Sequence, residues 1–192
     1  MSPAVWVAAG AVFLGVVALL ASYNRFVRDA QLIDNSWSNV DSELRRRYDL
    51  IPNLVETVQG YAVHERTTFE SVTRARSQAM ASDGNAASQS ADENVLVGAL
   101  RSLLAVSEAY PELKANVRFA ELQEELITTE NRIQAARRIF NGNVRDYNTR
   151  VQSVPSNLVA RAFGFRARTY FEVDEAVRAT GAPHVRLGAP GR

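Results

Sequence analysis

The chain contains no cysteine, and its 192 residues include two histidines, His64 and His184. The absence of cysteine excludes disulfide scaffolds, cysteine-ligated zinc, iron–sulfur clusters and cysteine nucleophiles. Two histidines argue against a multi-histidine metal centre. The 22 basic and 21 acidic side chains give a net charge of +1, whereas a dedicated nucleic-acid-binding protein has a strong basic excess. We therefore expect no cofactor, no metal ion and no nucleic-acid partner.

Sequence motifs of the common enzyme classes are also missing. The sequence contains no Walker A loop, no G-x-G-x-x-G, no G-x-S-x-G and no H-E-x-x-H. A di-iron carboxylate bundle would need Glu-x-x-His pairs, and none occurs. The sequence therefore predicts no catalytic, cofactor-binding or metal-binding residue, and a protein that is not an enzyme.

Charge is absent from the start of the chain, where the first charged side chain is Arg25. The segment Ala4–Ser22 has 19 uncharged residues and, as a helix, would extend roughly 28 Å, about the thickness of the bilayer hydrocarbon core. Trp6 and Tyr23 lie near its two ends, where aromatic rings favour the headgroup region. A buried core helix has a similar composition, but the abrupt change to charged sequence favours a transmembrane anchor over residues 1–22, with the bilayer as its partner.

A cleaved secretory signal is the other alternative for this segment. Such signals begin with basic residues, which Met1–Pro3 does not contain, so an uncleaved signal anchor fits better. Arg25 and Arg28 follow the segment closely, and the positive-inside rule therefore favours an external N-terminus and a cytoplasmic C-terminal domain. Ala11 and Gly15 form a small-x-x-x-small pair that would permit self-association, although such pairs more often reflect a span rich in small residues.

Beyond the anchor the sequence predicts an all-α domain over residues 23–178, because apolar residues recur at helical steps of three and four. Pro52 predicts a kink or a brief break, since proline removes a helix hydrogen bond, and Asn53-x-x-Glu56 offers an N-cap after it. The stripe consists of Phe26, Ala30, Ile33, Trp37, Val40, Leu44, Tyr48, Ile51, Val55, Val58 and Ala62, then Phe69, Val72 and Ala79.

Residues that interrupt or end helices divide the rest of the domain. Small and polar residues predict a loop over 82–92, followed by helices over about 93–109 and 116–153. Residues 156–163 can form a short helix closed by Gly164. The glycine- and proline-rich tail, residues 179–192, is typical of disorder.

Two local sequence patterns can be interpreted either as structural features or as functional sites, and the structural interpretation is favoured for both. Phe140-Asn141-x-x-Val144 recurs seven residues later as Tyr147-Asn148-x-x-Val151, which favours a packed helix–helix interface with asparagine fixing its register. A mixed-sign charge cluster favours a solvated helix face, with pairs such as Asp41–Arg45 and Glu43–Arg47, over a recognition surface. Arg46 could instead lie near the apolar stripe, with Glu125 or Glu130 as its counter-ion. The cluster is Asp41, Glu43, Arg45, Arg46, Arg47 and Asp49.

Longer blocks of the sequence resemble the LemA family. They are Asn35-Ser36-Trp37-Ser38, the run Arg46–Glu56, Gly60-Tyr61-Ala62-x-His64-Glu65, Ala109-Tyr110-Pro111-x-Leu113-Lys114-Ala115-Asn116, Leu122–Leu126, Thr129–Ile133, Tyr147-Asn148, Pro155-x-Asn157 and Gly164-Phe165. The resemblance extends from the anchor to about Glu172. It implies a single-pass bacterial membrane protein with a four-helix, up-and-down-type bundle of long helices and no established catalytic activity.

The leading functional hypothesis is a membrane-anchored, non-enzymatic scaffold whose exposed helix faces bind other membrane proteins. The alternative is a membrane-tethered ligand or signal sensor in which the predicted kink at Pro52 allows a change of shape. A hydrolase or metal enzyme ranks below both, because every motif it would require is missing.

Overall fold

A computed structural model describes residues 2–173, and these residues form six α-helices and no strand. The predicted all-α class is confirmed. The predicted tail over 179–192 and His184 lie outside the described residues. Four helices have 15 residues or more, and two are short. The helices are α1 (Pro3–Gln59), α2 (Arg66–Met80), α3 (Ala86–Glu108), α4 (Pro111–Lys114), α5 (Val117–Gln152) and α6 (Ser156–Phe163).

Helix α1 continues from the apolar segment through Pro52 to Gln59. The predicted break at Pro52 is therefore wrong, and Asn53 lies inside the helix rather than at an N-cap. The chain leaves the helix at Gly60, the residue type with the weakest helix propensity after proline. Residues 60–65 then link α1 to α2, and the backbone N–H of Ala62 donates to the Val58 carbonyl at 3.0 Å.

Helix α3 begins earlier than its composition predicts. The loop predicted over 82–92 is wrong in its second half, because Asn85 caps a helix that starts at Ala86, with its side chain accepting from the Ala87 N–H at 3.0 Å. The Asp83 carboxylate accepts from the Ser88 hydroxyl and the Asn85 N–H, and these bonds lower the pKa of Asp83. The N-cap stabilises the start of α3, and tertiary contacts stabilise the rest, so the small polar residues after Asn85 are helical despite their low helix propensity.

Pro52 leaves one carbonyl of α1 without its usual helical donor, because proline has no N–H to offer the residue four positions earlier. That residue is Tyr48, and the Arg76 Nε of α2 donates to its carbonyl oxygen at 2.7 Å. The Arg76 side chain thus replaces the missing backbone hydrogen bond, which explains how the helix passes through proline without ending.

Replacing Arg76 by methionine should destabilise the protein by about 1–3 kcal/mol, because the Tyr48 carbonyl loses a charged donor. The cost should fall in a Pro52→Ala background, where the alanine N–H can bond to that carbonyl. Chemical denaturation of the four chains of this double-mutant cycle measures the coupling. Arg74→Met, an exposed arginine of the same helix, is the matched control. If Arg76→Met lowers the free energy of unfolding equally in both backgrounds, Arg76 does not compensate for the hydrogen bond that Pro52 removes.

The described residues fall into two compact units. The first contains residues 2–46 and Thr128–Phe171, and the second contains Arg47–Ile127 with residues 172 and 173. Both are built on the predicted apolar stripe, most of which is buried. The buried members are Phe26, Ile33, Val40, Leu44, Tyr48, Ile51, Val58, Ala62, Phe69, Val72 and Ala79.

Aromatic side chains join α1 to α5 in the first unit. The ring centroids of Phe26 and Tyr147 lie 5.9 Å apart, and those of Trp37 and Phe140 lie 5.1 Å apart. Since the residue number rises along α1 and falls along α5, the two helices run antiparallel. The aromatic half of the seven-residue repeat therefore forms the predicted helix–helix interface, where edge and tilted contacts between rings are favourable.

The asparagines of the same repeat have a different role from the one predicted. Asn141 makes two hydrogen bonds to the backbone of Phe171, at 3.0 and 2.9 Å, and Asn148 makes two to the backbone of Arg168, both at 2.8 Å. Seven residues of helix rise about 10.5 Å, and three extended residues cover about 10 Å, so the two spacings match. The asparagines thus hold an extended segment (residues 165–171) against α5, rather than fixing the register of two helices.

Candidate membrane-anchoring site

The first third of α1 presents apolar side chains that no other part of the described chain covers. An 18-residue window of this helix is apolar enough and long enough to cross a membrane, and none of it is buried. Signal sequences pass the same test of length and composition. The exposed large apolar residues are Val5, Trp6, Val7, Val12, Phe13, Leu14, Val16, Val17, Leu19 and Leu20.

The C-terminal end of this apolar segment is packed against α6 and the turn that follows it. The Tyr23 ring centroid lies 4.9 Å from that of Phe163 and 5.7 Å from that of Phe165. Phe26, which is fully buried, stacks on Phe165 at 4.7 Å. Gly164 allows this turn, since it caps α6 at a φ of 75°, in the left-handed region that glycine favours. The predicted helix over 156–163, closed by Gly164, is confirmed.

Positive charge accumulates at the same end of the first unit. Residues 20–30 and 150–170 contain six arginines and a single acidic residue, Asp29. Asp29 pairs with Arg150, with 2.6 Å between the carboxylate and Nε. The other arginines are exposed, which places a local positive excess next to the apolar segment in a chain that is almost neutral. They are Arg25, Arg28, Arg161, Arg166 and Arg168.

Tyr147 is the titratable group whose pKa departs from its ordinary value in this region. Burial raises the pKa of its phenol, and the nearby charge of Arg168 opposes that rise. Because an ordinary tyrosine is already protonated at neutral pH, the Tyr147 hydroxyl stays neutral there. It therefore contributes packing and polarity rather than charge.

The predicted charge cluster of α1 divides into exposed and buried members. Arg45 pairs with Asp41 at 2.8 Å, which confirms that i,i+4 prediction. Arg46 is exposed, with its Nε 3.8 Å from Glu43, so the alternative that placed it in the apolar stripe is wrong. Arg47 departs from the expected solvated face, because its side chain is 1% exposed.

Arg47 belongs to a buried polar cluster in the second unit. Its guanidinium pairs with the carboxylate of Glu93, which is 0% exposed. The Tyr48 hydroxyl donates to the same carboxylate, and Gln89 Nε2 lies 3.0 Å from Glu93 Oε1 and 3.1 Å from the Ala79 carbonyl. A charged pair removed from water needs such additional hydrogen bonds. The cluster therefore fixes how α1, α2 and α3 meet, and its carboxylate is closed to solvent.

A signal for this cluster was present in the sequence. Glu93 precedes the buried Leu96 and Leu100 by three and seven residues, which places it on the apolar stripe of α3. Arg47 follows the buried Leu44 by three residues and precedes the buried Leu54 by seven, which places it on the buried side of α1. Opposite charges at buried positions of two helices predict a pair, because neither could be buried alone.

Residues 2–173 contain no group of three or more histidine, cysteine, aspartate or glutamate side chains placed to hold a metal ion. His64 is exposed in the link between α1 and α2. The acidic residues at the start of α5, Glu121, Glu124 and Glu125, are also exposed.

Several known proteins are similar to this chain. Magnetosome protein MamQ 2 of Paramagnetospirillum magneticum is 25% identical over 182 residues, which covers 82% of this chain and 67% of the relative. MamQ of Magnetospirillum gryphiswaldense is also 25% identical, with 81% and 66% covered. Protein LemA of Metamycoplasma hominis is 24% identical over 155 residues, with 81% and 71% covered.

The LemA family profile matches residues 36–187. This match begins after the apolar segment and includes residues 36–59 of α1 together with every later helix of the described residues. It covers well over half of the sequence and agrees with the sequence blocks that suggested the resemblance. The chain belongs to the LemA family.

Proposed function

We propose that this protein is a membrane-anchored, non-enzymatic helical scaffold. The apolar part of α1 crosses the bilayer, and the remaining helices present their exposed faces to other membrane proteins. The observation that carries the proposal is the uncovered apolar surface of α1, which continues as one helix into two packed units. Burial of that surface in lipid stabilises by roughly 25 cal/mol for each Å² removed from water, whereas leaving it in water forgoes that energy.

The two alternatives for the apolar segment make different physical demands. A core helix buries its apolar stripe, but the 18-residue window is entirely unburied. A cleaved signal begins with basic residues, and Met1–Pro3 contains none. An uncleaved anchor accounts for both features. Intact-mass measurement of the purified protein distinguishes it from a cleaved signal, because the anchor predicts that the peptide containing Trp6 remains.

Placing two arginines in the apolar segment, as in Leu14→Arg with Val17→Arg, should release the protein from membranes. Each arginine near the centre of a span costs about 2.5–3.5 kcal/mol of insertion free energy. The measurement is the fraction that stays in the membrane pellet after alkaline carbonate extraction. Ile139→Arg, at an exposed apolar position of α5, is the control and should leave this fraction unchanged. Carbonate-soluble wild-type protein would contradict the anchor.

We also propose that the helical part lies in the cytoplasm. The positive-inside rule counts arginines close in sequence to the end of a span, and Arg25 and Arg28 directly follow the apolar segment. Because the chain has no cysteine, single cysteines can report the topology. A membrane-impermeant maleimide added to intact spheroplasts should label Ser2→Cys and spare Ser153→Cys until the cells are lysed. The reverse pattern would invert the orientation.

The scaffold role predicts that partner binding depends on exposed side chains of the helices. Exposed apolar side chains such as Leu32 of α1 and Ile139 of α5 interrupt otherwise polar helix faces, and Arg46 is an exposed charge on α1. Partners recovered from gently solubilised membranes should be lost from Arg46→Glu or Ile139→Arg protein that is still folded and inserted. Recovery of the same proteins with wild-type and variant chains, or of none, would count against a scaffold that acts through these faces.

A further inference from the structure

We propose that α6 and the turns on either side of it form a second membrane contact, which lies on the bilayer surface and binds acidic phospholipid headgroups. This inference rests on the proposed anchor, because the anchor brings α6 to the membrane. It adds a lipid-binding surface to a part of the chain that is far from the anchor in sequence. The surface comprises Val154, Leu158, Arg161, Phe163 and Arg166.

The apolar half of this surface is exposed in the first unit. Val154 is 80% exposed, Leu158 is 64% exposed and Phe163 is 50% exposed, while Ala160 between them is buried. Helix α6 therefore directs Ala160 toward the core and leaves its larger apolar side chains outside. Three large exposed apolar side chains within ten residues, next to the end of the apolar segment, are typical of a contact with the membrane interface.

The position of α6 relative to the span determines the proposed occupant. The Phe163 ring lies 4.9 Å from that of Tyr23, which directly follows the apolar segment Ala4–Ser22. If the segment spans the bilayer, Tyr23 lies at the headgroup level, where aromatic rings are favoured. Phe163 must then lie at the same level, within reach of the acyl boundary. An interfacial helix buries its apolar face about 5–10 Å into this zone.

Charge selects acidic lipids over neutral ones. Arg161 and Arg166 flank Phe163, and Arg25 and Arg28 extend from the first turns of α1 after the span. All four are exposed, and the one acidic residue of the region, Asp29, is already paired with Arg150. Arginines next to an acidic membrane surface are attracted to it within about one Debye length. In this proposal the apolar side chains reach the acyl boundary, and the arginines stay at the level of the headgroups. Together they form one lipid-binding surface.

The absence of cysteine permits a direct test on the full chain. Single cysteines at Leu158, Ile139 and Phe13 are labelled with an environment-sensitive fluorophore, and each protein is reconstituted into vesicles of phosphatidylcholine alone or of equimolar phosphatidylcholine and phosphatidylglycerol. Ile139 is the matched control, because it is exposed on α5 and lies about 20 Å along that helix from its end near α6. Lipids that carry a quencher near the headgroup, or deep in the acyl chain, report the depth of each label.

We expect the label at position 158 to be quenched by the shallow quencher about twofold or more above that at 139, and more strongly with phosphatidylglycerol present. Combining Arg161→Gln with Arg166→Gln should reduce that lipid dependence, whereas Arg132→Gln with Arg138→Gln, on the same unit, should leave it unchanged. A deeply quenched label at 13 with no shallow quenching at 158 would overturn this inference and leave the anchor intact. Absence of deep quenching at 13 would overturn the anchor itself.

Discussion

Replacing Arg47 by methionine should destabilise the protein by about 3–5 kcal/mol, because it leaves the Glu93 carboxylate buried without its cationic partner. The two side chains are 1% and 0% exposed, so water cannot take the place of the guanidinium. The hydrogen bonds from Tyr48 and Gln89 remain, but they are neutral donors and cannot balance the charge. We expect most of the loss to appear in the second unit, which contains the whole cluster.

The adjacent residue provides the control for this experiment. Arg46→Met removes the same charge one position earlier, on an exposed side chain, and should change the free energy of unfolding by less than about 0.5 kcal/mol. Denaturant unfolding of the full chain in a mild detergent, followed by helical circular dichroism, compares the two. The double variant Arg47→Met with Glu93→Leu should recover much of the lost stability, since no buried charge is then left alone. Similar costs for Arg46 and Arg47 would refute this assignment.

The buried pair also shows which parts of the fold a single sequence reveals. Apolar spacing of three and four predicted most of the buried stripe of α1, and it predicted the long helix α5 to within one residue at each end, because helical periodicity is a local property of the chain. The partner of Arg47 is 46 residues away, and residue type alone suggests a solvated face for an arginine in a mixed cluster. Periodicity places Arg47 on the buried side of α1, but the charge that pairs with it depends on which helices meet, and periodicity within one helix does not contain that information.

Helix ends were less predictable for a similar reason. Proline at position 52 is a strong local signal for a break, yet α1 continues because a side chain of α2 supplies a donor to the Tyr48 carbonyl. Small polar residues after Asn85 are a local signal for a loop, yet a cap and burial of Gln89 and Ser90 make them helical. In both places a contact made by the folded chain outweighs local propensity.

The uncovered apolar segment was the easiest part of the candidate site to predict, since length and the absence of charge are properties of composition. The surface of α6 could be identified only in the structure. Its arginines and apolar residues are more than 120 residues after Tyr23, and the Tyr23–Phe163 contact is what brings them to the end of the segment. The two asparagines of α5 were similarly visible as a repeat, although their backbone partners in the extended segment were not.

Replacing both Asn141 and Asn148 by leucine should detach the extended segment (residues 165–171) from α5, at a cost of about 1–3 kcal/mol for each asparagine. Each amide satisfies one N–H and one carbonyl of the segment at 2.8–3.0 Å, and leucine has a similar volume but no polar atom. Because those backbone groups can pair with water once the segment is released, we expect local opening rather than global unfolding.

Trp37 offers a direct measurement, because the Phe171 ring lies edge-on to its indole at 5.4 Å. The chain has two tryptophans, so a Trp6→Phe background isolates the emission of Trp37. Detachment should shift that emission to longer wavelength and speed amide exchange at Arg168 and Phe171, while exchange in the middle of α5 stays slow. Asn131→Leu, at an exposed position of the same helix, should change neither signal. Unchanged emission and exchange in the double variant would mean that packing of Phe171, which is 0% exposed, holds the segment without the two amides.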